Sequence, residues 1–130
     1  MEIFMTFTQT ENAPSAIGPY SQAVVHNNLV YTSGQIALMS NGNDELLGED
    51  VVVQAVQVLK NLEAVLQASG SCLENVIKTT IFLADMDDFA VVNEIYKEAF
   101  GEHKPARSTV AVKTLPKNAK VEIDAVAVVQ

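Results

Sequence analysis

Two full charges, Arg107 and Glu122, lie in strand-like runs of small and β-branched residues near the end of the chain. A charge that is buried alone costs on the order of several kcal/mol, so each needs a partner, a ligand or access to water. The planar guanidinium of arginine binds a carboxylate through two hydrogen bonds. A glutamate with a suitably tuned pKa transfers protons at neutral pH. Together they predict a site that binds a small anionic molecule and carries out proton transfer on it.

Both residues also have a purely structural interpretation. Arg107 closely follows Pro105 and could pair with a surface carboxylate at a strand edge, since most arginines lie on the surface. A simple hairpin through residues 115–120 would place Lys113 opposite Glu122 as a cross-strand ion pair. The residues alone leave both interpretations open.

The bulk composition predicts one domain spanning residues 1–130. The chain has 130 residues, 48% of them hydrophobic and none of them Trp, so it can bury a core made mostly of aliphatic side chains. Such an apolar chain at this size favours an oligomer over a monomer. The formal net charge of −8, with only eight Lys and Arg, disfavours a nucleic-acid partner, which binds mainly through basic residues.

The number and spacing of cysteines and histidines indicate the cellular compartment and whether a metal site is expected. Cys72 is the only cysteine, which excludes an internal disulfide and fits a reducing cytosol. Neither CxxC nor HxxxH spacing occurs, so we expect no metal site. The first residues do not resemble a signal peptide, and no apolar run is long enough for a membrane span. The sequence therefore predicts a cytoplasmic protein.

The pattern along the chain predicts strands, helix, strand, helix and strands. In order, the predicted elements are a hairpin of Ser21–Val25 and Leu29–Ser33, a helix from Glu49 and Asp50 to Ser69-Gly70, a strand Val76–Leu83, a helix after Asp85–Asp88 that ends at Gly101, a strand-like run Pro105–Val112, and a central strand Val121–Val129. In the first helix, the polar side is predicted to include Gln54, Gln57, Asn61 and Gln67.

Two helices that each connect strands should lie on the same face of one sheet. We therefore expect an α+β fold: a two-layer sandwich with two helices on one face of the sheet. The other sheet face would have no cover within the chain. An apolar chain with an uncovered sheet face is expected to associate with other copies.

Several motifs in register resemble one known family. They are Asn12-Ala13-Pro14-Ser15-Ala16-Ile17-Gly18-Pro19-Tyr20-Ser21-Gln22-Ala23, Thr32-Ser33-Gly34-Gln35-Ile36, Asp88-Phe89-Ala90-Val91-Val92-Asn93, Pro105-Ala106-Arg107-Ser108 and Val121-Glu122-Ile123. These segments resemble the RidA family, the YjgF-type reactive enamine/imine deaminases. The resemblance runs from about Thr10 to the C-terminus. Met5 is the methionine that would correspond to the first residue of most relatives.

The resemblance implies both an architecture and an activity. The fold would be chorismate-mutase-like with a mixed sheet, assembled as a homotrimer whose sheets face inward and whose three clefts lie between subunits. The activity would need no cofactor: 2-aminoacrylate and related 2-imino acids would be hydrolysed to 2-keto acids and ammonia. The substrate would be a small carboxylate.

The resemblance also implies roles for five residues. Arg107 would clamp the substrate carboxylate, and Glu122 would position the attacking water or carry protons to the leaving amine. Tyr20, Ser33 and Gly34 would line the cleft. Without the family, Tyr20 belongs to a turn and Ser33-Gly34 to the end of a strand.

Two further positions need separate treatment. Asn93 matches the family only weakly, and we expect it to be structural. Thr109 stands where many relatives have Cys, and Cys72 matches no catalytic position, so nucleophilic catalysis by cysteine is not predicted. If relatives use mainly the backbone carbonyl at this position, Thr109 provides the same group, and its hydroxyl could bind the substrate.

Two other functions compete with the deaminase. A regulatory module could hold a 2-keto acid or a similar carboxylate in the same clefts without turnover; it would need Arg107 but not Glu122. An endoribonuclease or translation inhibitor is an activity attached to some relatives, and the net charge of −8 counts against it.

Overall fold

The computed structural model describes residues 3–130, in which one six-stranded sheet packs against two long helices. The elements are β1 (Thr6–Thr8), β2 (Ala23–His26), β3 (Leu29–Thr32), α1 (Val51–Ala68), β4 (Val76–Leu83), α2 (Phe89–Phe100), β5 (Ala106–Ala111) and β6 (Val121–Val128). Short 3₁₀ turns precede β4, α2 and β6. None of the helices within residues 3–130 is both long and apolar enough to cross a membrane.

The strands are ordered β1-β2-β3-β6-β4-β5 in the sheet. β4 and β5 pair in parallel, and the other neighbours pair antiparallel. Because β3 and β4 both run antiparallel to β6, they are parallel to each other. α1 joins β3 to β4 and α2 joins β4 to β5, so two crossover connections place both helices on the same face. The predicted α+β fold, with a mixed sheet and two helices on one face, is confirmed.

The helix α1 begins and ends where its sequence predicts. Asp50 caps its N-terminus, with a carboxylate oxygen accepting a hydrogen bond from Val52 N at 2.8 Å. Gly70 follows the C-terminal end at φ +84°, a conformation that glycine adopts readily. The apolar stripe that α1 buries against the sheet consists of Ala55, Val58, Leu59, Leu62, Val65 and Leu66.

The prediction that Gln54 and Asn61 lie on the polar side of α1 is wrong, since both are buried. The Gln54 amide donates to Gly48 O at 3.0 Å and accepts from Lys120 N at 2.9 Å. The Asn61 amide donates to Ile36 O and Leu38 O at 3.0 and 2.8 Å. These side chains satisfy backbone groups of irregular segments that would otherwise be buried without partners.

The predicted hairpin is formed by β2 and β3. Its turn consists of Asn27 and Asn28, whose φ angles are 52° and 66°. Two consecutive left-handed residues are typical of the type I′ turn, and asparagine tolerates this conformation. The strand β1 was not predicted, because three residues are too short to show a pattern.

The last two strands, β5 and β6, do not form a hairpin. β4 lies between β5 and β6, and Glu122 faces Phe82 of β4. Lys113 follows the end of β5 on the far side of β4. The interpretation of Glu122 as the cross-strand partner of Lys113 is therefore wrong.

The sheet face opposite the helices, called here the open face, has no cover within residues 3–130. Its exposed apolar side chains include Phe7, Tyr31, Val110 and Val128. Near the middle it also carries the charged side chains of Glu122, Asp124 and Lys78. The prediction of an uncovered sheet face is confirmed.

Candidate active site

Glu122 lies on β6 with its side chain on the open face, beside an irregular stretch of β3. Tyr31 pairs with Val126, and Gln35 pairs with Ile123. Between these two pairs, the three residues 32–34 lie opposite the two residues 124–125. This is the count of a β-bulge, which locally bends a strand and redirects its side chains. Ser33 and Gly34 lie within it.

Gly34 leaves the space that the Glu122 carboxylate occupies. A Cβ placed on residue 34 would lie 2.7 Å from Cδ of Glu122 and 3.0 Å from its Cγ. Any larger residue would therefore displace the carboxylate. The absence of a side chain at Gly34 is what lets Glu122 lie against the bulge.

Ser33 fixes the bulge to the segment before β2. Its backbone N donates to Gln22 O at 2.9 Å and its Oγ donates to Ser21 O at 2.6 Å. The hydroxyl hydrogen is thus used within the chain, and the hydroxyl oxygen keeps its capacity to accept. A substrate contact by Ser33 would have to use that acceptor.

Tyr20 lies near Glu122, at the same cleft. This cleft has a volume of about 100 Å³ and is lined by residues that include Pro14, Tyr20, Gly34, Pro116 and Glu122. Tyr20 is 53% exposed, and its hydroxyl accepts from Ile17 N at 3.3 Å. The structure therefore brings together three of the predicted site residues in one cleft.

The carboxyl group of Glu122 holds its proton more tightly than an exposed glutamate does. Burial disfavours the charged form and raises the pKa of Glu122, and the neighbouring charge of Asp124 raises it further. Burial also raises the pKa of Asp124, which hydrogen bonds from Thr80 and the charge of Lys78 partly offset. Two carboxyls with raised pKa values thus lie side by side on β6.

Arg107 lies on β5, an edge strand of the sheet, and pairs with Thr79 of β4. Its Nη1 donates to Asn93 Oδ1 at 2.7 Å. The guanidinium carbon lies 5.0 Å from the ring centre of Tyr96 and 5.6 Å from that of Phe89, which is within cation–π range. Arg107 borders a cavity of about 400 Å³ that is also lined by Lys97, His103 and Lys104.

Helical spacing explains how α2 holds this arginine. Phe89, Asn93 and Tyr96 follow one another at intervals of four and three residues, so they share one face of α2. Phe89 and Tyr96 flank the guanidinium from this face. Asn93, expected to be structural, is the hydrogen-bond partner of Arg107.

Thr109 follows Arg107 by two residues and therefore lies on the same face of β5. Its Oγ1 is buried and makes no hydrogen bond within the described part of the chain. A buried hydroxyl without a partner costs free energy. This hydroxyl is available to a group from outside the chain.

Arg107 and Glu122 lie on opposite faces of the sheet. Arg107 pairs with Thr79 of β4, and Glu122 pairs with Phe82, three residues further along the same strand. Side chains alternate between faces along a strand, so an offset of three reverses the face. Within one chain, Arg107 and Glu122 therefore belong to separate clefts.

No group of three or more His, Cys, Asp or Glu residues within positions 3–130 is arranged to hold a metal ion. The half-buried Cys72 lies just before β4 and lines none of the clefts described above.

Comparison with known proteins connects this geometry to a family. The model of the family described as "Endoribonuclease L-PSP" matches residues 10–129. The human 2-iminobutanoate/2-iminopropanoate deaminase is 48% identical over 119 residues, covering 92% of this chain and 86% of the human protein. A RutC family protein of Synechocystis is 54% identical over 126 residues, covering 95% of this chain and 96% of that protein.

A solved structure agrees in fold over nearly the whole length. The crystal structure of E. coli TdcF with bound serine superposes with a TM-score of 0.89 at 43% identity, covering 96% of this chain and 99% of TdcF. Sequence and fold therefore match over the same span, from the loop before Tyr20 through Glu122. The chain belongs to the Endoribonuclease L-PSP family, which is also the YjgF/RidA family.

Proposed function

We propose that this protein is an enamine/imine deaminase that hydrolyses 2-aminoacrylate and related 2-imino acids to 2-keto acids and ammonia. The observation that carries the proposal is the Glu122 carboxyl group, half-buried against Gly34, with its pKa raised by burial. The human and Salmonella relatives, both 48% identical, are 2-iminobutanoate/2-iminopropanoate deaminases. The reaction needs a group that accepts and returns protons near neutral pH.

Arg107 binds the substrate carboxylate in this proposal. Its guanidinium is oriented by Asn93 and flanked by the rings of Phe89 and Tyr96. A guanidinium held in this way loses little freedom when it forms two parallel hydrogen bonds with a carboxylate. The serine bound to E. coli TdcF is itself a small molecule with a carboxylate.

Glu122 moves the protons of the hydrolysis. Water adds to the iminium carbon while the Glu122 carboxylate accepts one proton from it, which gives a carbinolamine. Glu122 then donates that proton to the nitrogen. As the C–N bond breaks and the carbonyl forms, the Glu122 carboxylate accepts the proton of the hydroxyl and passes it to the released ammonia, which departs as ammonium. Tyr20 packs against the substrate, Ser33 offers its free acceptor, and Thr109 offers its unpaired hydroxyl.

A complete site takes its residues from two copies of the chain. Arg107 with Thr109 and Glu122 with Tyr20 lie on opposite faces of one sheet, and the open face exposes apolar side chains. Each chain acts as a single domain in a homotrimer with three intersubunit clefts, the assembly that the family resemblance implies. Its compartment is the cytoplasm, where an unpaired cysteine stays reduced.

A coupled assay tests the activity. A dehydratase generates the imine in situ, semicarbazide competes for it, and release of 2-keto acid is followed with wild-type protein, with Glu122→Gln or without either. We expect wild-type protein to accelerate release, and Glu122→Gln to lose most of that acceleration while still binding pyruvate in a calorimetric titration. Unchanged turnover by Glu122→Gln would contradict the proposed mechanism.

The same measurements identify a regulatory module, and a separate RNA-cleavage assay identifies an endoribonuclease. A regulatory module would bind pyruvate and give no acceleration in either variant. An endoribonuclease would cleave RNA as highly purified protein and lose cleavage through a single substitution. The net charge of −8 gives that function no electrostatic support.

A further inference from the structure

The side chain of Gln22 is buried and bonded to one loop. Only 3% of the residue is exposed. Its Oε1 accepts from Thr10 N at 2.7 Å, and its Nε2 donates to Thr10 O at 3.1 Å and to Pro14 O at 2.8 Å. The amide therefore pairs with the peptide of Thr10 in both directions, as a neighbouring strand would. It holds the loop of residues 10–14 in place.

The backbone of Gln22 holds the other side of the same cleft. Its carbonyl accepts from Ser33 N at 2.9 Å, and the carbonyl of the preceding Ser21 accepts from Ser33 Oγ at 2.6 Å. Ser33 begins the bulge whose next residue, Gly34, contacts the Glu122 carboxylate. One residue thus connects the loop that ends at Pro14 with the bulge that receives Glu122.

Both connected segments are walls of the Glu122 cleft. Pro14 and Ser15 line it on the loop side, and Gly34 and Gln35 line it on the bulge side. The cleft measures only about 100 Å³, so a small displacement of either wall changes its shape by a large fraction. We propose that Gln22 is a positioning residue, which sets the width of this cleft and thereby the placement and hydration of the Glu122 carboxylate.

The catalytic part of this inference rests on the proposed deaminase function, but the geometric part does not. If Gln22 keeps the cleft narrow, removing its hydrogen bonds lets water reach Glu122. Burial is the largest cause of the raised pKa of Glu122, so hydration moves its titration to lower pH. The titratable or charged groups around Glu122 are Asp124 beside it on β6, Lys78 of β4 near Asp124, and Tyr20 across the cleft. None of them is changed by a substitution at Gln22.

The primary test is an NMR titration of the Glu122 carboxyl carbon in wild-type protein and in Gln22→Met. Methionine keeps the length of the side chain and removes its hydrogen bonds. We expect the midpoint of Glu122 to move to lower pH in Gln22→Met. If Gln22→Met does not fold, Gln22→Asn replaces it, because its shorter side chain stays neutral and cannot keep the hydrogen bonds to both Thr10 and Pro14.

Ser71→Ala is the matched control, since Ser71 Oγ donates to Val128 O at 2.7 Å in a buried position that lines neither cleft. It loses a buried hydrogen bond without touching the loop or the bulge. We expect the midpoint of Glu122 to stay at the wild-type pH in this variant. An unchanged midpoint in the Gln22 variant, or an equal shift in Ser71→Ala, would overturn the proposal.

Kinetics then separate this inference from the proposed function. If the wild-type protein is active, we expect Gln22→Met to lower kcat about tenfold or more, because a misplacement of about 1 Å can cost ~100-fold. KM should change little, since Arg107, which binds the carboxylate in the proposed assembly, comes from a neighbouring copy and not from the walls that Gln22 holds. Wild-type kinetics in Gln22→Met would overturn the role of Gln22, whereas an inactive wild-type protein would overturn the proposed function and leave the titration as the test.

Discussion

Thr109 combines a buried hydroxyl with no hydrogen-bond partner in the described chain and a place on the same face as Arg107. A buried hydroxyl without a partner lowers the stability of the folded chain, and a hydrogen bond from a ligand or a second copy would restore it. Its role in binding stays a prediction.

Replacing Thr109 by Val tests that role. The methyl group fills the space of the hydroxyl, so we expect the free energy of unfolding to rise by about 1 kcal/mol. We also expect kcat/KM for the 2-imino acid to fall about fivefold, as for a lost neutral hydrogen bond of about 1 kcal/mol. Thr109→Ser, which keeps the hydroxyl, should retain most of kcat/KM. Full activity in Thr109→Val would remove this hydroxyl from the site.

The raised pKa values of Glu122 and Asp124 predict how stability depends on pH. Between its ordinary pKa, 4.5 for Glu and 3.8 for Asp, and its higher folded pKa, such a carboxyl binds more protons when folded than when unfolded. The free energy of unfolding therefore falls as pH rises through that interval, and the loss is complete above the folded pKa.

We accordingly expect Glu122→Gln and Asp124→Asn to be more stable than wild-type protein at pH 7. The advantage should shrink as pH falls below the ordinary pKa values. Chemical denaturation across pH 3–8 measures both effects. Glu102→Gln is the control for net charge, because Glu102 is exposed in the turn after α2. An equal gain in Glu102→Gln would show that general charge repulsion, and not burial, is responsible.

At the scale of elements, α1 depends on a single side-chain cap at its start. The Asp50 carboxylate accepts a hydrogen bond from Val52 N at 2.8 Å, and the helix begins at the next residue, Val51. We expect Asp50→Ala to lower the free energy of unfolding by about 1 kcal/mol, and Asp50→Asn to lower it much less. Equal losses in the two variants would mean that the charge of Asp50 matters more than its cap.

The elements with a strong local pattern were predicted correctly. Both helices, the hairpin of β2 and β3, and the strands β4 and β6 have periodic apolar residues and clear turn or cap residues at their ends. The burial of Gln54 and Asn61 was missed, since the carbonyl groups they satisfy belong to segments distant in sequence. No local pattern reports such a partner.

The sequence predicted that some of the candidate site residues lie together, but it did not predict their arrangement on the sheet. Tyr20, Gly34 and Glu122 do meet in one cleft. The separation of Arg107 from Glu122 follows from strand order, because β4 lies between β5 and β6 and offsets their registers by three residues. Neighbouring strands in sequence were assumed to be neighbours in space. Only the fold itself corrects that assumption.

At the scale of the whole molecule, the opposite placement of Arg107 and Glu122 predicts complementation between inactive variants. We expect Arg107→Gln and Glu122→Gln to be nearly inactive when each is assembled alone. When equal amounts are unfolded together and refolded, a site is complete only where an intact Arg107 meets an intact Glu122 from the next copy, which leaves about a quarter of the sites active in a cyclic trimer.

Keto-acid release by the refolded mixture, relative to refolded wild-type protein, measures that fraction. Mixing the folded variants without unfolding is the control for slow exchange of subunits. No recovery after joint refolding would place both residues of each site in one chain, against the arrangement proposed here.

The separation of the two residues by the thickness of one sheet has a further consequence for how activity scales with protein concentration. In the proposed assembly, an isolated folded chain carries each half of a site and no complete one. Below the dissociation concentration of the assembly, turnover per chain should fall on dilution even though every chain keeps its fold. The rate per chain would then depend on the fraction of chains that are assembled. Lowering the abundance of the protein below the dissociation concentration would reduce its activity more than in proportion.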